Sequence, residues 1–253
     1  MIHIIGQDVV QDVKAFDSVK DCLSNNFDFD VYLAAFLCKP MGIDLKDQVI
    51  YNMEYLRDDN PLFSFGYMDT LKENIVIDFA KSNVEYLKSK GIEAFYMPYG
   101  FHESMRRVPQ RHKDIDVLFI GSMHFERRKK IIFELSKVCN VQVALGVYGS
   151  ELDELIARSK VHLNMHHAEG QPLETVRINY LLANNCTVVS EYGNDWELNV
   201  SYQDSLVFCE YDNLVDSCIE MLDVQFNCEK LMNELRHNSL GANEWIKGKL
   251  CLQ

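Results

Sequence analysis

Short apolar runs alternate with amphipathic stretches along the first part of the chain. These runs are rich in β-branched and aromatic side chains, and they are bounded by polar residues, Gly or Pro. They lie at Ile2–Ile5, Val31–Leu37, Gln48–Asn52, Asn74–Asp78 and Ala94–Met97. The clearest helix between them runs from Lys81 to Lys90 and stops at Gly91. Strands and helices that alternate in this way predict a parallel sheet with crossover helices.

A second series of the same kind follows a polar segment, Arg106 to Lys113, that is typical of a linker or exposed loop. Its predicted strands are Asp116–Ile120, Val141–Leu145, Val161–Met165, Thr187–Ser190 and Ser205–Phe208. Its predicted helices are Arg127–Lys137, Glu151–Ser159, Leu173–Ala183 and Leu214–Leu222. Ser150 and Asp153 predict a capping box for the second of these helices.

We therefore predict an α/β protein with two Rossmann-like, doubly wound parallel-sheet domains, of which the first is small. The predicted domains cover residues 1–100 and 101–225, and residues 226–253 form a helical tail.

The composition is that of a globular, acidic protein. Hydrophobic residues make up 47% of the 253 residues, and 25 Lys and Arg stand against 38 Asp and Glu, for a net charge of −13. These values exclude a disordered or fibrous chain, and they argue against a general affinity for nucleic acid or anionic lipid. A nucleic-acid partner would need the local basic stretch formed by Arg106, Arg107, Arg111 and Lys113.

Apolar runs and cysteines bear on the compartment. The longest apolar run, Val31 to Cys38, is far shorter than the roughly 20 residues that a bilayer span needs. The first residues lack the basic flank and the long apolar stretch of a signal peptide. Eight cysteines without any C-x-x-C pair predict free thiols. We expect a cytoplasmic protein without a membrane span.

Polar residues follow several predicted strands of the second domain, at the place where an open α/β sheet binds its ligands. The ligand crevice of such a sheet lies outside the carboxyl ends of its strands. The residues at these ends include Gly121 with Ser122, the segment from Asn164 to Glu169, and Ser190 with Glu191. They are our first candidates for a binding site.

The segment from Ala168 to Arg177 combines a strand end with a helix start. Pro172 suits the first turn of a helix, Glu174 falls in that turn, and the free N–H groups there favour a diphosphate. Glu174 and Arg177 lie three residues apart on one helical face. They either bind one ligand together, through sugar hydroxyls and phosphate, or form an intrahelical salt bridge.

Arg127 and Arg128 open a run of four basic residues at the start of the helix that follows Gly121 and Ser122. A glycine turn lets a nucleotide phosphate approach the backbone closely, and guanidinium groups suit phosphate. A solvated helix face is the alternative interpretation of this run.

The second domain resembles the donor domain of two-domain GT-B glycosyltransferases, notably the group-1 and CgeB-like branches. The resemblance rests on Asp116–Ser122, Tyr148–Leu152, Ser159–Asn164, Glu174–Ile178, Leu181–Asn184 and Val188–Glu191. Weaker likeness extends to Tyr51–Glu54 and Pro98–Gly100. Many retaining members carry a glutamate where this chain has Tyr180.

The resemblance implies a metal-independent hexosyltransferase-like enzyme that needs no cofactor. A nucleotide-diphospho-sugar, such as a UDP- or GDP-sugar, would bind the second domain, and a glycan, lipid-linked or protein acceptor would face the first. Arg127, Arg128 and Arg177 would neutralise the diphosphate. Donor hydroxyls would bind Glu174 and Glu191, with Gly121, Ser122, Asn164, Ser190 and His166 lining the site.

Acceptor activation needs a base, and Glu54 and His166 are the candidates because each follows a predicted strand. His102 and His167 are alternatives. The pairs Asp28/Asp30 and Asp114/Asp116 match the D-x-D pattern of metal-dependent transferases, but they precede strands.

Two other functions stay open on the sequence. One is a phage-type glycosyltransferase acting on DNA bases, and the other is a non-catalytic nucleotide-sugar-binding protein.

Overall fold

The chain forms two parallel-sheet α/β units in a computed structural model that describes residues 1–10, 16, 19, 20, 23, 27–235 and 240–251. One unit comprises Met1–His102 together with His237–Gln253, and the other comprises Glu103–Arg236. Each unit has its own sheet and its own hydrophobic core.

The first unit contains a five-stranded sheet with the strands in chain order. Its strands are β1 Ile2–Ile4, β2 Val31–Leu33, β3 Val49–Asn52, β4 Ile75–Asp78 and β5 Ala94–Tyr96. All neighbouring strands pair in parallel, and Asn52 lies opposite Asp78 at the carboxyl ends of β3 and β4. Every residue of β3 and β4 is buried, as expected for parallel strands covered on both faces.

The helices of the first unit connect and cover these strands. They are α1 Tyr67–Lys72, α2 Lys81–Ser89 and α9 Leu240–Leu250, with 3₁₀ helices at Ala35–Leu37 and Pro61–Phe65. The Trp245 ring of α9 lies 5.6 Å from the Phe95 ring of β5. Ile246 is fully buried, so the end of the chain contributes to the core of this unit.

The second unit contains a sheet in the order β10-β9-β8-β6-β7. Its strands are β6 Ile115–Ile120, β7 Val141–Ala144, β8 Ser159–Asn164, β9 Thr187–Glu191 and β10 Val207–Cys209. The chain runs from β6 to β7 on one side and then returns to add β8 on the other side of β6. This reversal is a topological switch point, where open α/β sheets form their ligand crevice.

Helices separate the strands of the second unit. They are α3 Glu126–Ser136, α4 Gly149–Ala157, α5 Thr175–Ala183, α6 Trp196–Tyr202, α7 Leu214–Glu220 and α8 Glu229–Glu234, with 3₁₀ helices at Glu103–Met105 and Tyr211–Asn213. The core between sheet and helices includes Val117, Phe119, Leu135, Val161 and Leu163. The strands at the switch point, β6 and β8, are therefore packed against the hydrophobic core of this unit.

The predicted fold class, two Rossmann-like parallel-sheet domains of α/β type, is confirmed.

Three local predictions are wrong. The run Val31–Leu37 is a strand only to Leu33, because Ala34 has a left-handed backbone with φ 55° and a 3₁₀ helix follows.

The other two errors concern helix starts. α4 begins at Gly149, so Ser150 lies inside the helix and the predicted capping box with Asp153 does not form. α5 begins at Thr175, with Glu174 as its N-cap residue, so Pro172 and Glu174 precede the first turn.

No helix in the described ranges is long and apolar enough to cross a membrane. All seven cysteines of the described chain are free thiols.

Candidate functional site

The turn after β6 favours glycine through its backbone conformation and a tight contact. Gly121 has φ +149°, and a Cβ added to it would lie 3.2 Å from the Phe119 ring. Its N–H donates to the Ala144 carbonyl at 3.1 Å. The predicted glycine turn is therefore present at the switch point, next to the first turn of α3.

Arg128 on α3 joins the ends of β6 and β8. Its guanidinium donates to the Met165 carbonyl at 2.8 and 3.2 Å and to the Ser122 carbonyl at 3.2 Å. It also packs over the Phe119 ring, 5.3 Å from its centroid. Only 5% of the residue is exposed, and burial lowers its pKa to about 10, so it stays charged at neutral pH. Arg128 is thus a buried cation, not part of a solvated helix face.

Arg127 pairs with Glu191 at the end of β9. Two nitrogens of its guanidinium donate to the two carboxylate oxygens at 2.7 and 2.8 Å, and one of them also donates to the His166 carbonyl at 2.6 Å. Tyr211 covers the pair, with its ring 4.4 Å from the guanidinium and its hydroxyl donating to the Arg127 carbonyl. The hydrogen bond from Glu191 raises the pKa of Arg127. Arg127, which the sequence predicts to bind phosphate, is therefore held in an internal ion pair with Glu191.

Asn164, the last residue of β8, connects the other predicted donor residues. Its Nδ2 donates to Glu174 and to the Ser190 hydroxyl, both at 2.9 Å. Its Oδ1 accepts from Arg177 at 2.7 Å. Within the described chain Glu174 and Arg177 form no direct ion pair, so the intrahelical salt bridge is not present. Both side chains are hydrogen-bonded to Asn164 instead.

His166 fixes Glu174 from the opposite side. Its Nδ1 lies 3.0 Å from the Glu174 carboxylate, and its Nε2 lies 3.0 Å from the Tyr192 carbonyl. Both partners accept hydrogen bonds, so the imidazolium form, with a proton on each ring nitrogen, satisfies both contacts. Burial alone would lower the pKa of His166, but the hydrogen bond and charge of Glu174, the Tyr192 carbonyl and the charge of Glu191 together outweigh burial and raise the pKa. In the imidazolium form the ring has no free lone pair to take a proton, and this disfavours His166 as the acceptor base.

Glu174 is held as a carboxylate by the same contacts. Burial alone would raise its pKa, but the hydrogen bond and charge of His166, with Arg177 and Asn164, lower the pKa to about 2. Its side chain is 22% exposed, so one face is left for a ligand.

The start of α5 offers unused donors beside this carboxylate. No side chain caps the helix. The Thr175 N–H donates to the Leu173 carbonyl at 2.8 Å, whereas the N–H groups of Val176 and Arg177 have no acceptor among the described residues. The Thr175 hydroxyl is buried and has no hydrogen-bond partner among the described residues. Arg177 donates one side-chain hydrogen bond within the described chain, to Asn164, and burial lowers the pKa of its guanidinium. Groups of these types are suited to bind an anion with hydroxyl groups attached.

Glu54 lies in the first unit, after β3. Its N–H and carbonyl are both hydrogen-bonded, whereas its carboxylate has no hydrogen bond or ion pair to any described residue. Burial raises the pKa of this carboxyl to about 7. A carboxyl group with such a pKa can accept and release a proton near neutral pH.

The remaining sequence candidates have structural partners. His167 packs on the Phe125 ring at 4.8 Å and contacts Gln171, while His102 is exposed. Asp114 and Asp116 pair with Arg158 and Lys160. No group of His, Cys, Asp or Glu side chains within the described ranges is arranged to hold a metal ion.

Three residues of the site escaped the sequence analysis: Thr175, Tyr192 and Tyr211. Thr175 and Tyr192 directly follow Glu174 and Glu191, so a wider window around each strand or helix end would have included them. Tyr211 lies far along the chain, after β10, and no spacing rule connects it with Arg127.

No protein-family model matches the chain. In sequence it is 27% identical over 175 residues to Uncharacterized protein L140 of Acanthamoeba polyphaga mimivirus, across 65% of this chain and 57% of that protein. In structure it is similar to an alpha,alpha-trehalose-phosphate synthase (UDP-forming) from Burkholderia vietnamiensis, with a TM-score of 0.52 and 11% identity, across 95% of this chain and 76% of that one. It is also similar to AviGT4, a glycosyltransferase involved in avilamycin A biosynthesis, with a TM-score of 0.50 and 12% identity, across 99% and 97% of the two chains.

These likenesses show the fold, which is that of GT-B glycosyltransferases with two parallel-sheet α/β domains. The matched part of the chain spans 57% of Uncharacterized protein L140 and 23% of a second mimivirus relative, Uncharacterized protein L137. The narrower likeness to the group-1 and CgeB-like branches stays a prediction.

Proposed function

We propose that the protein is a glycosyltransferase that moves a sugar from a nucleotide-diphospho-sugar to a glycan, lipid-linked or protein acceptor without a metal ion. The observation that carries the proposal is the contact of Glu174 and Arg177 through Asn164 at the start of α5. A carboxylate for hydroxyls and a guanidinium for phosphate lie side by side there, at the switch point of the sheet.

The charges of the site suit a diphosphate. Arg127 is paired with Glu191, and His166 is paired with Glu174. Arg128 and Arg177 form no ion pair with a carboxylate in the described part of the chain, which leaves two positive charges. They match the two negative charges of a sugar-linked diphosphate. In this arrangement the guanidinium groups and the N-terminus of α5 take the part that a divalent cation plays in metal-dependent transferases.

The proposed contacts with the nucleotide-sugar follow from the hydrogen-bonding positions that have no partner within the described chain. The diphosphate would bind the N–H groups of Val176 and Arg177, the Thr175 hydroxyl and the Arg177 guanidinium. The sugar or ribose hydroxyls would bind the exposed face of Glu174. Ser190 would hold Asn164 in place, and Arg128 would shape the Gly121–Ser122 turn and supply charge through the turn.

Glu54 is the proposed base for the acceptor. Its pKa of about 7 lies near the value at which a general base is most effective in neutral solution. In the transfer step the acceptor hydroxyl would lose its proton to the Glu54 carboxylate and form the new bond to the anomeric carbon. The bond from that carbon to the diphosphate would break, and its electron pair would leave with the nucleotide.

The DNA-base alternative loses its main support. Within the basic stretch Arg106 bonds to Glu229, Arg107 contacts Asp153, and Arg111 contacts Glu154. Lys113 donates to the Ser159 carbonyl. Guanidinium groups that are engaged by carboxylates offer little free charge to a phosphate backbone.

The non-catalytic alternative is favoured by one observation. Tyr180, in the position where many retaining enzymes have a glutamate, donates to Asp153 and accepts from Arg107, so its hydroxyl is fully used inside the fold. Turnover therefore has to be measured separately from binding.

The test is release of nucleoside diphosphate from a panel of UDP-, GDP-, ADP- and dTDP-sugars, with and without mixed glycan acceptors. The proposal predicts turnover with one nucleotide family, and loss of turnover in Glu174→Gln and Arg177→Ala. Arg158→Ala is the matched control, because Arg158 pairs with Asp114 outside this network. Binding of a donor without any release would support the non-catalytic alternative.

A further inference from the structure

A closed hydrogen-bonded network lies in the first unit at the carboxyl ends of β3 and β4. It consists of Asn52, Asp78, Asn83 and Tyr67, all of them buried, and the backbone of the loop that carries Glu54. Asn52 and Asp78 face each other across the two strands. The strand-end rule places a functional residue here, yet nothing in the donor site uses this network.

Asn52 uses every hydrogen-bonding valence of its amide. Its Oδ1 accepts from the Tyr67 hydroxyl at 2.6 Å and from the Glu54 N–H at 3.0 Å. Its Nδ2 donates to Asp78 at 2.6 Å and to the Glu54 carbonyl at 3.0 Å. The side chain of Asn52 therefore binds both backbone groups of Glu54.

Asn83, on α2, holds the same loop from the other side. Its Nδ2 donates to the Glu54 carbonyl at 2.8 Å and to Asp78 at 2.9 Å, and its Oδ1 accepts from the Leu56 N–H at 2.9 Å. The Glu54 carbonyl is consequently shared by two amide donors. Three hydrogen bonds fix the backbone of this one residue.

Asp78 orients both asparagines. Its Oδ2 accepts from Asn52, and its Oδ1 accepts from Asn83 and from the Ala80 N–H at 2.9 Å. Asp78 is fully buried, so these bonds replace its hydration. Without Asp78, each asparagine amide would lose one hydrogen-bond acceptor and would be oriented towards Glu54 by its remaining bonds alone.

We propose that Asp78, acting through Asn52 and Asn83, is a positioning residue that holds Glu54 as the base of the reaction. We call the hydrogen bonds of Asn52, Asn83 and Asp78 around the Glu54 backbone the clamp. The inference rests on the proposed function for the chemical step, and on these contacts for the clamp itself. The clamp grips only backbone groups of Glu54, so the carboxylate stays available for an acceptor hydroxyl. The burial that raises the Glu54 pKa depends on the loop being held in this position.

The test compares wild type with Asp78→Asn and Asn83→Ala in the full chain. Carboxyl ¹³C chemical shifts of Glu54, assigned with Glu54→Gln, are followed from pH 4 to 9 by NMR. The neighbouring titratable groups are Asp78, Tyr67 and Cys38. Burial raises the pKa of Asp78 to about 7, so Asp78 titrates in the same range and the assignment with Glu54→Gln is needed to separate the two carboxyl signals. Burial keeps Tyr67 and Cys38 protonated over this range by raising the pKa of each. Asp69→Asn is the matched control, since Asp69 is an exposed carboxylate on α1 of the same unit.

Released from the clamp, the Glu54 carboxyl gains water, so its pKa is expected to fall from about 7 towards its ordinary 4.5 in both variants and to stay unchanged in Asp69→Asn. Sugar transfer should slow by ~10- to 100-fold in kcat, with the acid limb of the pH profile moved by the same amount and donor affinity unchanged. Asn83→Ala keeps Asp78 and Asn52 intact, so it decides the question if Asp78→Asn does not fold.

An unchanged Glu54 titration in a folded variant would overturn the clamp. Equal losses in donor affinity and kcat would also overturn it, since they would indicate general damage. Absence of nucleotide-sugar binding by wild type would instead refute the proposed function, and the NMR titration would still decide whether the clamp exists.

Discussion

The Nδ1 of His166 lies 3.0 Å from the Glu174 carboxylate, and this contact favours the charged forms of both groups, because it raises the pKa of His166 and lowers that of Glu174. The second ring nitrogen faces the Tyr192 carbonyl, so the ring has no lone pair available for catalysis. The histidine that follows β8 therefore serves to orient and charge the site. Its partner Glu174 is the group that presents oxygen atoms to a ligand.

The pair makes stability depend on pH in a defined window. The pKa of His166 is raised above its ordinary 6.5, so its contribution is complete below that value and is lost as pH rises through the folded-state pKa. The pKa of Glu174 is lowered to about 2, so its contribution is present above 4.5 and is lost as pH falls towards 2. We expect the melting temperature of wild type to decline above pH 6.5 more steeply than that of His166→Gln.

Thermal unfolding at half-unit pH steps checks this expectation, with His112→Gln as the control because His112 is exposed. Parallel curves for wild type and His166→Gln would contradict the assignment of His166 as an imidazolium.

Glu54→Gln tests the proposed base. The amide keeps the shape of the side chain but cannot accept the proton, so kcat should fall by ~10²- to 10⁴-fold with donor affinity unchanged. The acid limb near pH 7 of the wild-type rate profile should vanish. Stopped assays at saturating donor measure the rate, and calorimetry measures the affinity. A variant that retains the wild-type rate would remove Glu54 from the mechanism.

Gly193 provides a steric test of the loop that carries Glu174. A Cβ at this position would lie 2.6 Å from the Leu173 backbone nitrogen, while Asn199 holds Gly193 by two hydrogen bonds at 2.7 and 3.0 Å. Gly193→Ala must therefore push Leu173 and the adjoining Glu174 aside. We expect a loss of about 1–3 kcal/mol in the free energy of unfolding, together with weaker donor binding.

The control for this substitution is Gly248→Ala in α9, where an added Cβ meets no atom within 4 Å. It should raise stability by about 0.5–1 kcal/mol, as alanine does inside a helix. If Gly193→Ala behaved like the control, the close contact between the two loops would be refuted.

Metal independence is a prediction of the charge arrangement. Because Arg128, Arg177 and the start of α5 supply the positive charge, donor turnover should be the same in EDTA as in Mg²⁺ or Mn²⁺. Initial rates after extensive dialysis against chelator check this. A rate that drops to background in EDTA and returns with one cation would require a metal-assisted step instead.

The sequence pattern predicted well which polar residues lie at the carboxyl ends of the strands. Gly121, Asn164, Ser190 and Glu191 all follow from the rule that parallel sheets bind ligands at their carboxyl edge. In the structure Asn164 donates to Ser190, Glu191 accepts from the His166 N–H, and Arg128 bonds to the carbonyls of Ser122 and Met165. The apolar periodicity likewise predicted the alternation of strands and helices.

The sequence pattern did not predict which side chains form ion pairs and hydrogen bonds with one another. The ion pair of Arg127 with Glu191 joins residues 64 positions apart, and no local spacing encodes it. The start of α5 was misplaced because Pro172 allows a helix start but does not require one. Asp78 was missed because its importance lies in burial and in the direction of its side chain, which a pattern of residue types does not contain.

The most direct test of the central claim is a calorimetric titration of wild type, Glu174→Ala and Arg177→Ala with UDP, GDP, ADP, CMP and dTDP and their common sugar conjugates. We predict that one nucleotide family binds wild type. Arg177→Ala should lower the affinity by about tenfold to a hundredfold, as expected for the loss of a charge-assisted hydrogen bond. Glu174→Ala should weaken the sugar conjugate more than the free nucleotide. Failure of every nucleotide and conjugate to bind wild type at millimolar concentration would contradict the assignment of a donor site to the switch point of the second unit.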